Sequence, residues 1–455
     1  MSRARPDVPA APFVWGVSTS AYQIEGAVSE AGKGPSIWDA FTSLPGRIVD
    51  GSDGSTATDH FRRYKEDVRL IADLGVGAYR FSVSWPRVMP SGKGRLEQRG
   101  VDFYLRLIEE VASAGVEPWV CLYHWDLPLA LQERGGWPNR DTAYYYADYV
   151  ERIATALGSG VARYFAMNEP NVHALLGHVA GVHAPGVSDL MAGLAAVHHL
   201  NLATGLGVER LRSARPGTPV GSILNLQGFV PARDGEEHEA AAAFADTAFN
   251  RAFLDPLFRG TYPEPLDGML ESVIESGDLE ACKAPIDMLG VNHYTRLWVL
   301  ADGSAPAGVK LVDPPKGVTR TAMGWEVAPE GLLDVLKRLK DEYGNPPVYI
   351  TENGAAYPDG TRMADGSVDD GARVRYLHAY LNAAADAWRA GCDLRGYFAW
   401  TLVDNFEWAD GFTRRFGLVE LVPETLERRP KRSYRAYRDL VSSGVWPASL
   451  TELER

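Results

Sequence analysis

Short runs that are apolar nearly throughout alternate along this chain with longer segments in which apolar residues recur every third or fourth position. The runs are FVWGVSTS from Phe13, GAYRFSVSW from Gly77, EPWVCLYHW from Glu117, RYFAMNEP from Arg163, PVGSILNL from Pro219, DMLGVNHYT from Asp287, PVYITENG from Pro347 and LRGYFAWTL from Leu394. Each has the length of a strand and lacks the polar alternation of a sheet with one wet face, the pattern of parallel strands covered on both sides. Between them Phe61, Tyr64, Val68, Ile71 and Leu74 trace one helical stripe that stops at Gly75. Val101, Tyr104, Ile108 and Val111 before Gly115 repeat it, as do Leu332, Val335, Leu339 and Tyr343 before Gly344. Eight such units predict an α/β protein, a single (β/α)8 TIM barrel with long βα loops spanning residues 1–455 as one domain. The barrel itself needs only about 250 residues. The excess is expected in loops such as Leu297 to Trp325 and Phe229 to Glu239. An open doubly wound sheet is the alternative, but no Gly-rich phosphate fingerprint follows the first strand.

Composition narrows the partners. The chain has 455 residues, 45% of them apolar and 10% aromatic, which is a globular balance. A net charge of -13 leaves no basic stripe to neutralise nucleic-acid phosphates. The one basic cluster, RRPKRSYRAYR from Arg428 to Arg438, reads as a solvated helix start. No stretch approaches the roughly 20 apolar residues that span a bilayer. The opening MSRARPDVPAAP has no signal-like apolar core, so a cytoplasmic protein without membrane association is expected. Cys121, Cys282 and Cys392 are too few and too scattered for a disulfide framework or a metal cluster. His173, His178 and His183 are five apart, off the spacing that would put them on one helical face. No metal-binding set stands out, and nothing in the sequence sets an oligomeric state.

In a barrel of this kind the chemistry sits where the strands end. Those ends carry Gln23 and Glu25, then Arg80, then His124, Trp125 and Asp126, then Asn168 and Glu169, then Asn225. They continue with Asn292, His293 and Tyr294, with Glu352 and Asn353, and with Trp400 followed by Glu407 and Trp408. Glu169 on the fourth strand and Glu352 on the seventh approach one pocket from opposite sides. Such a pair is what glycosidic cleavage requires: an acid for the leaving oxygen and a carboxylate for the sugar carbon. The amides and histidine suit a ligand rich in hydroxyls, and the tryptophans suit its C–H faces. Glu25 and Asp126 keep a structural reading, each able to orient a better-placed neighbour.

The motifs YQIEG, YRFSVSWPR, YHWDLP, NEP, NHYT, TENG and DNFEWADGFTRRFGL, in this order from about Phe13 to Tyr437, resemble glycoside hydrolase family 1, the β-glucosidases and their relatives. That resemblance implies a retaining β-glucosidase, with no metal or organic cofactor, acting by double displacement on terminal β-D-glucosyl residues of short oligosaccharides or aryl and alkyl glucosides. Glu352 would be the nucleophile and Glu169 the general acid/base. Gln23, His124, Trp125, Asn168, Glu407 and Trp408 would hold the small-molecule β-glycoside, with Trp400 as platform and Phe416 lining the sugar site. Arg80, Asn292 and Tyr294 would surround the nucleophile, while Trp325, His183 and Asn225 match positions facing the leaving group. Arg80 and the Tyr294 hydroxyl are expected to favour the Glu352 anion, leaving Glu169 protonated in a less polar setting.

Rival readings follow from the same residues. A broad galactosidase or fucosidase would keep every feature named. A 6-phospho-β-glycosidase would not be expected to keep Glu407 and Trp408, because a carboxylate repels a 6-phosphate. A non-catalytic sugar-binding protein would be expected to have lost one of the two carboxylates. Asn171, directly after NEP, departs from the bulky residue common in the family and bears on the leaving-group side.

Overall fold

A computed structural model describes residues 13–364 and 366–444; the stretch Met1 to Pro12 lies outside the described residues. Eight parallel strands close into a barrel: β1 Val14–Ser18, β2 Ala78–Ser82, β3 Glu117–Cys121, β4 Arg163–Asn168, β5 Val220–Asn225, β6 Met288–Asn292, β7 Val348–Asn353 and β8 Leu394–Trp400. Each strand pairs with its sequence neighbours, and β1 closes on β8 with Val14 opposite Gly396 and Ser18 opposite Trp400. Closure excludes the open doubly wound sheet. The crossovers are carried by α1 His60–Asp73, α2 Gln98–Ser113, α3 Asp141–Leu157, α4 Leu190–Ala214, α5 Ala252–Arg259, α6 Pro329–Glu342 and α7 Gly371–Arg389, and α8 Arg432–Ser443 follows the last strand.

The barrel is filled, as it must be, because eight strands leave room for side chains and little else. Ala78, Trp119, Cys121, Phe165, Ile223, Met288, Tyr349 and Phe398 form its inner cluster, drawn from β2 to β8. Strand β1 contributes Gly16, where an added Cβ would lie 2.2 Å from the Phe398 ring. The much larger outer cluster packs the buried stripes of the helices against the barrel wall.

Register breaks fall on two strands. Among the barrel pairings, shifts occur only where β4 meets β5 and where β7 meets β6 and β8, each near the C-terminal end, with a further one at the start of β7. A bulge bends a strand and re-aims the side chains beyond it. These are the strands that deliver Glu169 and Glu352.

Two expectations need correction. The segments from Phe229 and Leu297 are not plain loops: Gly228–Pro231, Arg296–Ala301 and Val309–Val312 make a small three-stranded sheet beside the barrel mouth. Its strands are mostly half-buried, so the sequence shows neither a continuous apolar run nor a clear alternation. The basic cluster is also not a solvated helix start. Arg428 sits on the strand Glu427–Pro430, buried against Asp67 at 2.9 Å and the Thr58 carbonyl at 2.7 Å, and α8 begins only at Arg432.

Lys431, at the turn into α8, is fully buried between Asp359 at 2.7 Å and Asp404 at 2.9 Å. Asp404 also accepts the Gly417 amide at 2.8 Å, which ties down the loop that follows β8 and carries Glu407, Trp408 and Phe416. Removing one partner of such a cluster leaves uncompensated buried charge. Lys431→Met is therefore expected to destabilise the fold by about 3–5 kcal/mol, read as a lower denaturation midpoint in urea. A midpoint within error of the parent would contradict this role.

Candidate active site

At the C-terminal end of β7, Glu352 accepts from the Arg80 guanidinium, carried by β2, and from the Tyr294 hydroxyl at 2.5 Å, just past β6. All three side chains are buried. A buried carboxylate with a guanidinium on one oxygen and a phenol on the other is stabilised as an anion. That resolves why an apolar strand can end in an acid. Gly354, two residues on, permits the close passage of the chain: a Cβ there would lie 1.9 Å from the Trp400 carbonyl oxygen.

Glu169 follows β4 with φ 46°, a left-handed backbone held by its own amide donating to the Ile223 carbonyl at 2.9 Å. Such a conformation is costly for a residue with a side chain and persists where surrounding contacts impose it. Here it turns the carboxyl to Asn292 Nδ2 at 2.7 Å and Asn225 Nδ2 at 3.0 Å. Both amides are themselves aimed. The Thr351 hydroxyl donates to Asn292 Oδ1 at 2.7 Å and the Gln227 amide donates to Asn225 Oδ1, so each NH₂ group is left facing the acid. Burial first, and the Glu352 charge second, outweigh these donors and push the Glu169 carboxyl up to about 8.

Asn168 links the two carboxylates. Its Oδ1 accepts from Arg80 at 2.6 Å and from Asn292 at 3.1 Å. Its Nδ2 must then be the atom 3.2 Å from His124 Nε2, which makes that nitrogen the acceptor and puts the ring proton on Nδ1. Burial, and behind it the positive Arg80, hold His124 well below the usual histidine range, so the ring is neutral. Nδ1 is buried with no partner among the described residues and is a donor available to a ligand hydroxyl.

Gln23 is fixed by Ser20, which donates to its Oε1 at 2.5 Å, and by the Phe406 carbonyl, to which its Nε2 donates at 2.8 Å. The same amide reaches Glu407 Oε2 at 3.3 Å. Burial, with the negative Asp410 and Glu352 behind it, raises the Glu407 carboxyl well above its ordinary value. The aromatic walls come from separate loops. Trp408, at φ 49°, lies 4.6 Å from Trp125, and the His124 ring stacks on Trp400 at 6.1 Å and on Trp408 at 5.8 Å. On the other side Tyr294, Phe416 and Trp325 meet at 5.6–6.2 Å.

The structure thus gathers the sequence-derived residues around one strand-end pocket, with differences of detail. Asn292 stands opposite Glu352 in the β6 to β7 register, yet its amide reaches Glu169. Asn225 touches the Glu169 carboxyl directly. Glu25 holds Arg87 at 2.7 Å and is also bonded by Tyr104, outside this network. Asp126 is buried, and burial pushes its carboxyl up to about 8. Asn171 donates to the Asn225 and Phe249 carbonyls at 2.6 and 3.2 Å. The aiming residues Thr351, Gln227 and Ser20 were not found from sequence, because a hydroxyl or amide that orients another amide has no spacing signature. His198 and His199 are buried and bonded, to Asp278 at 2.8 Å and to the Trp137 carbonyl at 2.9 Å. Among the described residues no group of three or more His, Cys, Asp or Glu is arranged to hold a metal, and no helix is long and apolar enough to cross a membrane.

Fold and pocket together define a barrel enzyme with two buried acids in opposed electrostatic settings under a cover of amides and tryptophans. Residues 7–445 match the profile of glycosyl hydrolase family 1, and the chain belongs to that family. It is 42% identical over 437 residues to β-glucosidase A of Acetivibrio thermocellus, covering 95% of this chain and 97% of that protein. It is 41% identical over 456 residues to a bifunctional β-D-glucosidase/β-D-fucosidase of Bifidobacterium breve, covering 94% and 97%. Among solved structures it superposes with TM-score 0.91 on the family 1 β-glucosidase of Thermotoga maritima in complex with isofagomine lactam, at 42% identity, covering 96% and 99%.

The electrostatic coupling of the two acids can be read directly. The Glu169 carboxyl is expected to titrate near pH 8. Glu352→Gln removes the negative neighbour, so the protonated form is favoured less and the midpoint should fall. Carboxyl ¹³C NMR across the pH range measures it. A midpoint that stays put or rises in the variant would contradict the coupling.

Proposed function

We propose that this protein is a retaining β-glucosidase that releases terminal β-D-glucosyl residues from short oligosaccharides and from aryl or alkyl glucosides, with Glu352 as nucleophile and Glu169 as acid/base. The observation that carries this is the pair of buried acids joined through Asn168 and Asn292, with a guanidinium and a phenol on Glu352 and amides alone on Glu169. The names of the relatives in the same family support the sugar.

The reaction runs in two displacements. The Glu352 carboxylate attacks the anomeric carbon while Glu169 gives its proton to the glycosidic oxygen, and the aglycone leaves as an alcohol. The bond from carbon to Glu352 replaces the glycosidic bond, and the charge on Glu352 vanishes. Glu169, now anionic and freed of its negative neighbour, takes a proton from water as that water attacks the same carbon. The sugar departs with its original configuration and Glu352 is again a carboxylate. Because Glu169 must begin protonated, kcat/KM is expected to fall as pH rises through about 8.

Gln23, Glu407, Asn168 and His124 supply the donors and acceptors for the sugar hydroxyls in this reading, while Trp400, Trp408 and Trp125 supply its apolar walls. Glu407 and Trp408 disfavour a 6-phosphorylated substrate, since a buried carboxyl and an indole offer no cation to a phosphate ester. The sequence likeness to a bifunctional glucosidase/fucosidase favours a secondary activity on β-fucosides. Short β-linked glucans derived from cellulose fit the glucosidase reading, and turnover of cellobiose against an aryl glucoside tests that setting. A cytoplasmic location goes with the three unpaired buried cysteines, Cys121, Cys282 and Cys392. Fractionation that finds the protein outside the cell would contradict it.

Glu352→Ala should lose kcat on an aryl β-glucoside by on the order of 10⁴-fold, a typical cost for removing a covalent nucleophile. Azide should restore turnover and give the α-glycosyl azide, since the small anion enters from the face that Glu352 vacated. An unimpaired variant, or a β-azide from it, would overturn the assignment of the nucleophile.

A further inference from the structure

At the opposite end of the barrel, where the strands begin, four arginines line one cleft of about 330 Å³: Arg163 at the start of β4, Arg395 on β8, and Arg212 and Arg215 at the end of α4. The chain carries a net charge of -13, so four cations converging there is not an average of its surface. Among the described residues Asp287 is the one acid in the lining of this cleft. It is occupied by Arg212 at 2.9 Å and by the Val220 amide at 2.9 Å. Arg395 is held by both oxygens of Asp393, each at 2.8 Å. Among the described residues Arg163 and Arg215 have no carboxylate partner, and the Nε of each is buried with no acceptor. Two arginines on the last turn of a helix and just past it complement its dipole. That account does not reach Arg163, which comes from a strand.

Arg163 is also rigid. Its guanidinium lies over the rings of Trp119 at 4.8 Å and Tyr349 at 5.5 Å, which fixes its plane and leaves its edge for donation. Planar donors held in this way suit a tetrahedral oxyanion. Arg163 and Arg395 line a second, adjoining cavity of about 770 Å³, whose walls include Trp15, Tyr349 and Trp388. Glu117 shares that cavity, with one oxygen accepting the Trp119 indole at 2.8 Å.

We propose that this basal cleft binds the phosphate group of a small molecule, with the arginines on the phosphate and the aromatic cavity beside them receiving any organic body it carries. Asp287 and Asp393 each hold one of the four arginines, Arg212 and Arg395, which leaves Arg163 and Arg215 to face a phosphate monoester of about -1.5 to -2 at pH 7, with Glu117 the further acid in the adjoining cavity. The site is separate from the sugar pocket and does not depend on the assignment of Glu169 or Glu352.

The test is isothermal titration of the full chain with inorganic phosphate and with phenyl phosphate, sodium chloride holding ionic strength constant, on the parent, Arg163→Gln and Arg215→Gln. Saturable binding in the parent that weakens about tenfold or more in each variant is expected, the cost of a lost charge-assisted contact. Tighter binding of phenyl phosphate than of inorganic phosphate assigns an ester seated on the aromatic wall; equal affinity assigns the free anion, and both support the site. Arg215→Gln removes no stacking contact, so it keeps the test valid if Arg163→Gln fails to fold. Hydrolysis of an aryl glucoside by Arg215→Gln should match the parent. Heats that show no saturation in the parent, or that are unchanged in Arg215→Gln, would overturn the proposal.

Discussion

The ion pair between Arg80 and Glu352 crosses a barrel interior that otherwise admits almost no charge, and the surrounding polar network is arranged around it. A fully buried guanidinium costs several kcal/mol in desolvation unless its donors are used, and one carboxylate does not use them all. Arg80 therefore also donates to Asn168, which fixes the amide, which fixes the tautomer of His124. Tyr294 completes Glu352 from the other side. With its charge met in this way Glu352 can act on Glu169 through space, and the second acid is raised by burial and by that neighbour together. The opposed protonation states that a double displacement needs thus have a common origin in the partners allotted to each acid.

Geometry follows the same division. Strands β4 and β7 are where the barrel pairings lose register, and each break lets a strand end depart from the regular pleat. The left-handed backbone at Glu169, Trp125 and Trp408 does comparable work in the loops. Strain of this kind, on the order of 1–3 kcal/mol per residue, survives only where packing over-determines the site. The buried Lys431 cluster supplies part of that packing for the loop after β8, linking stability far from the pocket to the placement of Glu407 and Trp408.

The barrel was legible because its strands are buried on both faces and so read as continuous apolar runs, with helical stripes between them ending at glycines. The small sheet beside the mouth was not, since Arg296–Ala301 and Val309–Val312 are half-wet and their apolar residues are diluted by charge. The acids and aromatics of the pocket stood at recognisable strand ends. The residues that aim them did not: Thr351 matters because its hydroxyl meets an amide on the neighbouring strand, and only the β6 to β7 register brings those two atoms together. Arg428 and Lys431 were misread for the same reason, their acid partners Asp67, Asp359 and Asp404 being distant in sequence.

The two ends of the barrel handle charge in contrary ways. At the mouth Arg80 is bound by a carboxylate and an amide of the protein, although its Nε is buried without an acceptor. At the base Arg163 and Arg215 likewise have a buried Nε without an acceptor, and among the described residues neither has a carboxylate partner. Between them lie Trp119, Phe165, Tyr349 and Phe398, a packed aromatic plug that separates the two environments. Of these four rings Tyr349 alone lines the basal cavity, so a ligand there would meet the plug only at its edge.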